Sequence, residues 1–170
     1  TSLDDLMAAT GLGKGSLYGA FGDKRQLFLR VFEEYCASAI ADVRSRLEGD
    51  DAGAMDRLRA YVFLNVEAIV RDTTNRGCLL ARGTVELSNV EPAVASLSLQ
   101  TYRALGELLT TCLTQAQRHG DIKADADTQK LGALLLSVLR GIESLGKAGM
   151  EESALRGIAE TVLTAVEGKA

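Results

Sequence analysis

Residues 10–35 read TGLGKGSLYGAFGDKRQLFLRVFEEY, and this stretch decides the architecture. A short helix ends at Thr10–Gly11, because glycine most readily takes the left-handed conformation that closes a helix. A compact glycine turn follows, and the spacing predicts a second short helix from about Lys14 to Phe21. Gly22–Asp23 break that helix. Asp23 then caps a long amphipathic helix that starts at Lys24, with Gln26 at its third position completing a capping box. Short helix, glycine turn, short helix is the punctuation of a helix-turn-helix, a device that sets its second helix in the major groove of DNA.

A reading helix must be anchored on one face and exposed on the other. Leu17 and Phe21, four residues apart, are expected to anchor it against Leu3, Leu6 and Leu12. Lys14, Ser16 and Tyr18 then point outward, offering an ammonium and two hydroxyls to phosphates or base edges. Gly15 and Gly19 let the backbone lie close to the groove, although each costs about 1 kcal/mol of helix propensity. Lys24 opens the long helix, where free N–H groups and the macrodipole favour an anion such as a DNA phosphate. Thr1 and Ser2 open the preceding helix, with Asp4 or Asp5 completing its cap, and are placed to do the same.

Outward from this segment the pattern stays helical. Leu27, Phe28, Val31, Phe32, Tyr35, Cys36, Ala39, Ile40, Val43 and Leu47 recur every three to four residues, the helical period. Further helices are expected over about residues 54–71, 77–87, 92–119, 126–145 and 152–166, with Asp72, Thr73, Thr74 and Asn75 in a loop and Pro92 in a first turn. Proline occurs once and aromatic residues make up 5% of the chain, which together with the lack of sustained alternation disfavours a β-sandwich or barrel. The expectation is an all-α protein of about nine helices. Three form a small head, residues 1–40, incomplete at its N-terminus. A long fourth, beginning at Lys24, joins it to a larger helical body, residues 41–170.

The net charge of −4 excludes a broad basic coat for nucleic acid but not a few cations on one face. Lys14, Lys24, Arg25 and Arg30 supply them, offset by Asp4, Asp5, Asp23, Glu33 and Glu34. Cys36, Cys78 and Cys112 are far apart, without a C-x-x-C pair, and read as reduced thiols of a cytoplasmic protein. The apolar run Leu131–Leu145 is interrupted by Arg140 and Glu143, so no membrane span is expected. GLGKGS is not a phosphate-binding loop, because Gly15 stands where a Walker lysine is followed by Ser or Thr. The single histidine, His119, suits a helix C-terminus rather than a metal site, and no nucleophile motif accompanies it. The chain therefore reads as a non-enzyme without cofactor or metal.

Two features of the body call for partners. The last two helices carry more apolar residues than one face needs, so Leu131, Leu135, Val138, Leu139, Ile142, Leu155, Ile158 and Val162 are expected to meet a second copy in a two-fold four-helix interface. Polar side chains among the aliphatic ones of the middle helices, Tyr61, Asn65, Cys78, Arg82, Glu86 and Tyr102, are candidates to line a small-molecule cavity. Cys78 follows Gly77 at a helix start, a position that activates a thiol if it is exposed and so admits a thiol-reactive ligand.

The segment TSLDDLMAATGLGKGSLYGAFGDKRQLF closely resembles the signature of the TetR family of bacterial transcriptional repressors. The resemblance implies a homodimer in which each head reads a half-site of a palindromic operator in double-stranded DNA, and a small-molecule inducer in the body that releases it. It places Thr1, Ser2, Lys14, Gly15, Ser16, Tyr18 and Lys24 where the family touches DNA. The chain departs from the pattern twice. The family's first helix is absent from this sequence, and Gly13 stands where a hydroxyl residue usually caps the reading helix. The competing reading is a helical small-molecule sensor without DNA affinity.

Overall fold

The structure, a computed structural model, describes residues 2–72 and 77–168. Eight helices cover the described residues: α1 Leu3–Thr10, α2 Lys14–Phe21, α3 Lys24–Leu47, α4 Ala54–Arg71, α5 Leu79–Leu87, α6 Pro92–His119, α7 Thr128–Lys147 and α8 Glu152–Glu167. The long joining helix is therefore the third, where the sequence reading counted it fourth of about nine. Thr1, with Thr73, Thr74 and Asn75 of the expected loop, lies outside the described residues.

Local chemistry sets most helix ends. Ser2 Oγ accepts the Asp5 N–H at 3.1 Å while the Asp5 carboxylate accepts the Ser2 N–H at 2.6 Å, closing a reciprocal capping box at α1. These bonds hold the Asp5 carboxyl below its ordinary range. Gly11 ends α1 at φ 69°, and Asp23 starts α3 by accepting the Gln26 N–H at 2.7 Å. Pro92 occupies the first turn of α6, and Asp127 caps α7 through the Lys130 N–H at 3.0 Å.

The 28-residue α6 runs through the middle, packed against α3, α4, α5 and α7, while α8 closes on α4 and α7. Phe32, Leu58, Leu80, Leu109, Leu113, Leu135 and Leu163 are among the fully buried side chains of one continuous core. Glycine allows close approach at two crossings. A Cβ at Gly83 of α5 would sit 2.5 Å from the Phe32 ring of α3. A Cβ at Gly132 of α7 would sit 2.3 Å from Thr110 Oγ1 and 3.2 Å from the Thr110 backbone nitrogen of α6. The α1–α2 pair, by contrast, packs mainly on itself and on the start of α3.

The apolar surplus of α7 and α8 divides between two faces. Leu135, Leu139, Ile142 and Leu155 are 2% exposed or less and belong to the core of the single chain, while Val162, 6% exposed, also borders the open groove of α7 and α8. The wide apolar arc is what an inner helix needs when α4 and α6 cover one side of it. Leu131, Val138 and Ile158 stay partly open, joined by Leu134 at 44% exposure. Leu134, Val138 and Ile158 form a shallow groove with Ala154, Gly157, Thr161 and Ala165. No helix among the described residues is long and apolar enough to cross a membrane.

Gly132→Ala should destabilise the fold by about 1–3 kcal/mol, because the new methyl has to push α6 and α7 apart. Urea unfolding followed by circular dichroism measures it, and an unchanged midpoint would mean that the two backbones do not approach this closely.

Candidate nucleic-acid interface and effector cavity

Helix α2 owes its orientation to Leu17, 3% exposed, with Phe21 partly buried beside it. Leu12 was expected to join this anchor but is 42% exposed: it sits in the turn, where its N–H donates to Thr10 Oγ1 at 3.3 Å. Lys14, Gly15, Ser16, Tyr18 and Gly19 all lie on the solvent side, and Lys14 Nζ stands 5.7 Å from the centroid of the Tyr18 ring. Gly13 caps the helix with no side-chain bond. Cβ atoms added at Gly15 and Gly19 would meet nothing within 4 Å, so no contact inside the described chain requires glycine at either position.

The nearby cations are divided. Arg30 lies over the Phe21 ring, 5.8 Å from its centroid, with Nη1 3.5 Å from the Ala20 carbonyl at the end of α2. Arg25 turns away to Glu91 at the start of α6. Lys14 and Lys24 make no ion pair among the described residues. Ser2 is exposed and already engaged in the α1 cap. Thr1, the remaining expected contact, is outside the described residues.

A second feature is a cleft of about 570 Å³ between α3, α4 and α7, open beside the start of α5. Tyr61, Asn65 and Cys78 line it. Arg82 and Glu86 do not; they pair with each other at 3.3 Å on the exposed face of α5. Tyr102 also lies outside the lining, half-buried, its phenol pushed up by burial. Tyr35, Ser38, Asp42, Asp72, Arg140, Glu143 and Lys147, which local sequence pattern does not single out as lining, complete the polar wall. One signal pointed to two of them: Arg140 and Glu143, a helical turn apart inside the most apolar run of the chain.

Those two residues organise the cleft. Arg140 Nη1 donates to Glu143 Oε2 at 2.8 Å, and the other carboxylate oxygen accepts the Cys78 N–H at 3.0 Å. Glu143 of α7 thus takes up the backbone N–H of Cys78, the N-cap residue of α5, whose own side chain makes no capping bond. Arg140 Nη1 also lies 3.9 Å from Cys78 Sγ, while its buried Nε has no partner among the described residues. Burial raises the phenols of Tyr35 and Tyr61, so both remain hydroxyl donors at neutral pH. Cys36 and Cys112 are buried and their thiols are pushed up by burial, which leaves Cys78 as the cysteine that reaches the cleft.

An exposed short helix after a glycine turn, carried on a helical body, defines an all-α helix-turn-helix regulator. Residues 1–31 match the family model "Bacterial regulatory proteins, tetR family", and residues 54–162 match "Tetracyclin repressor-like, C-terminal domain". Among curated relatives, the HTH-type transcriptional repressor ComR of Escherichia coli is 27% identical over 164 residues, covering 96% of this chain and 78% of ComR. The HTH-type transcriptional repressor DhaR of a Mycobacterium species is 26% identical over 141 residues, covering 83% of this chain and 69% of DhaR. The fold matches reduced Escherichia coli NemR with a TM-score of 0.82 at 20% identity, over 95% of this chain and 84% of that one. It matches CifR, a TetR-family regulator solved with operator DNA, with a TM-score of 0.76 at 25% identity, over 96% and 85%.

The chain belongs to the TetR family. It is a DNA-binding transcriptional regulator and not an enzyme.

Glu143→Ala would leave a half-buried guanidinium and the Cys78 N–H without their acceptor. The expected loss is about 1–3 kcal/mol in urea unfolding, with Glu143→Gln losing less because it keeps one acceptor oxygen.

Proposed function

We propose that residues 1–40 read one half-site of a palindromic operator and that residues 41–170 dimerise and bind an effector that ends repression in the cytoplasm. The DNA surface is Lys14, Gly15, Ser16, Tyr18 and Lys24, with Thr1 and Ser2 at the start of α1. The observation that carries this reading is the pair of glycines on α2. Each weakens a short helix and neither is demanded by packing within the chain. A surface brought against their bare backbone accounts for both, and the groove of a duplex is such a surface.

Two copies would meet through the open stripe of α7 and α8, Leu131, Leu134, Val138 and Ile158, which forms a four-helix contact about a two-fold axis. The effector is a small polar molecule carrying acceptor oxygens. The phenols of Tyr35 and Tyr61, the amide of Asn65 and the guanidinium of Arg140 are the donors that would receive it. Cys78, alone among the thiols in reaching the cleft, would let a soft electrophile do the same work by alkylating Sγ. An effector that binds the DNA-incompetent arrangement more tightly by roughly 1–3 kcal/mol lowers operator affinity about 5- to 150-fold.

Gly15→Leu separates function from fold. A side chain there meets open space and improves helix propensity by roughly 0.5–1 kcal/mol, so the melting temperature should hold or rise while operator affinity falls more than about tenfold. Fluorescence anisotropy on a duplex selected by the wild-type protein measures this, and undiminished affinity would remove α2 from the groove. Lys24→Ala should weaken binding to all sequences and reduce the slope of log K against log salt by about one. An unchanged slope would exclude a phosphate contact at that position.

A further inference from the structure

The residues that read DNA are carried by the end of α3 that the core holds least. Phe32 is 0% exposed and fixes the middle of this helix against Gly83. N-terminal to Phe32 only Phe28 and Leu29 reach the core, both partly buried, and α1 and α2 pack chiefly on each other and on α3. The direction of the first two turns of α3 therefore sets the direction of α2.

One polar contact fixes that direction from outside α3. Arg25 Nε is 2.5 Å from Glu91 Oε2, and Nη2 is 2.7 Å from Oε1, a two-pronged pair between groups 66 positions apart. Glu91 is the N-cap residue of α6, the helix threaded through the core, and its side chain is 14% exposed against 62% for Arg25. The Glu91 carboxyl is held below its ordinary range by Arg25, and the Arg25 guanidinium is held above its own. A carboxylate at a helix N-terminus is also favoured by the macrodipole. The body end of the contact is thus seated, and its free end grips the second residue of α3, next to Lys24.

We propose that Glu91 is a positioning residue for operator recognition: by clamping Arg25 it sets the angle of the head on the body and so the half-site separation that the dimer accepts. The proposal rests on the dimeric DNA-binding reading above. Two reading helices must enter successive major grooves about 34–36 Å apart. A head free to swing accepts several separations, and a strutted head accepts one.

The test uses the full-length protein and a palindrome selected by the wild type from random duplexes, remade with one base pair added or removed at its centre. The readout is the ratio of affinities between the preferred and the altered separations. That ratio cancels the general effect of deleting a charge, and Glu107→Ala, an exposed carboxylate elsewhere on α6, checks the cancellation. Glu91→Ala should shrink the ratio about fivefold, Arg25→Ala should shrink it equally, and the double variant should shrink it no further. Melting temperatures report whether each variant is folded, and either single variant alone can decide the matter. A ratio unchanged in Glu91→Ala, or single effects that simply add in the double variant, overturns the strut. A wild type that enriches no sequence overturns the DNA-binding reading and the strut with it.

Discussion

The burial of Phe32 against the bare backbone of Gly83 is the constraint on which the rest of the molecule depends. It makes α3 a shared element: the C-terminal half, through Cys36, Val43 and Leu47, is part of the core, and the N-terminal half carries the reading helix. A flexible linker would let head and body act independently. A continuous helix of 24 residues, roughly 36 Å long at 1.5 Å per residue, does not. The core around Phe32 and the start of α3, on which α2 packs, therefore belong to one continuous element.

The cleft lies along the same helix. Tyr35, Ser38, Ala39, Asp42 and Val43 form its α3 wall, one turn and more beyond Phe32. Its opposite wall is tied together by Glu143, which holds Arg140 with one oxygen and the Cys78 amide just before α5 with the other. α5 in turn presents Gly83 to Phe32. The cleft, the carboxylate that accepts the Cys78 N–H and the buried ring of α3 are therefore neighbours in a single packed layer. Under the proposed function, coupling between an effector in this cleft and DNA needs no long route, only a layer with two ways of packing.

Much of this was legible in the chain because it is local. The Ser2–Asp5 box, the left-handed Gly11, the Asp23 cap and Pro92 in the first turn of α6 are decided within a few residues, by hydrogen bonds and dihedral preferences that any context would respect. The exposed face of α2 was legible for the same reason, since only Leu17 and Phe21 of that helix are apolar enough to turn inward. Leu12 failed as an anchor because the turn that contains it satisfies its backbone locally and leaves the side chain outside.

What the sequence determined by itself was the series of helices, their caps and the chemical character of the reading surface, all properties with a range of one or two turns. Only the tertiary structure decided which apolar face of α7 and α8 is core and which is surface, because Leu135 and Leu134 differ in surroundings and not in kind. It alone brought Arg25 to Glu91 and Glu143 to the amide of Cys78, contacts across 66 and 65 positions. Pairings at that distance depend on how helices cross, and crossing is set by small residues such as Gly83 and Gly132 whose purpose shows only when the neighbouring helix is in place.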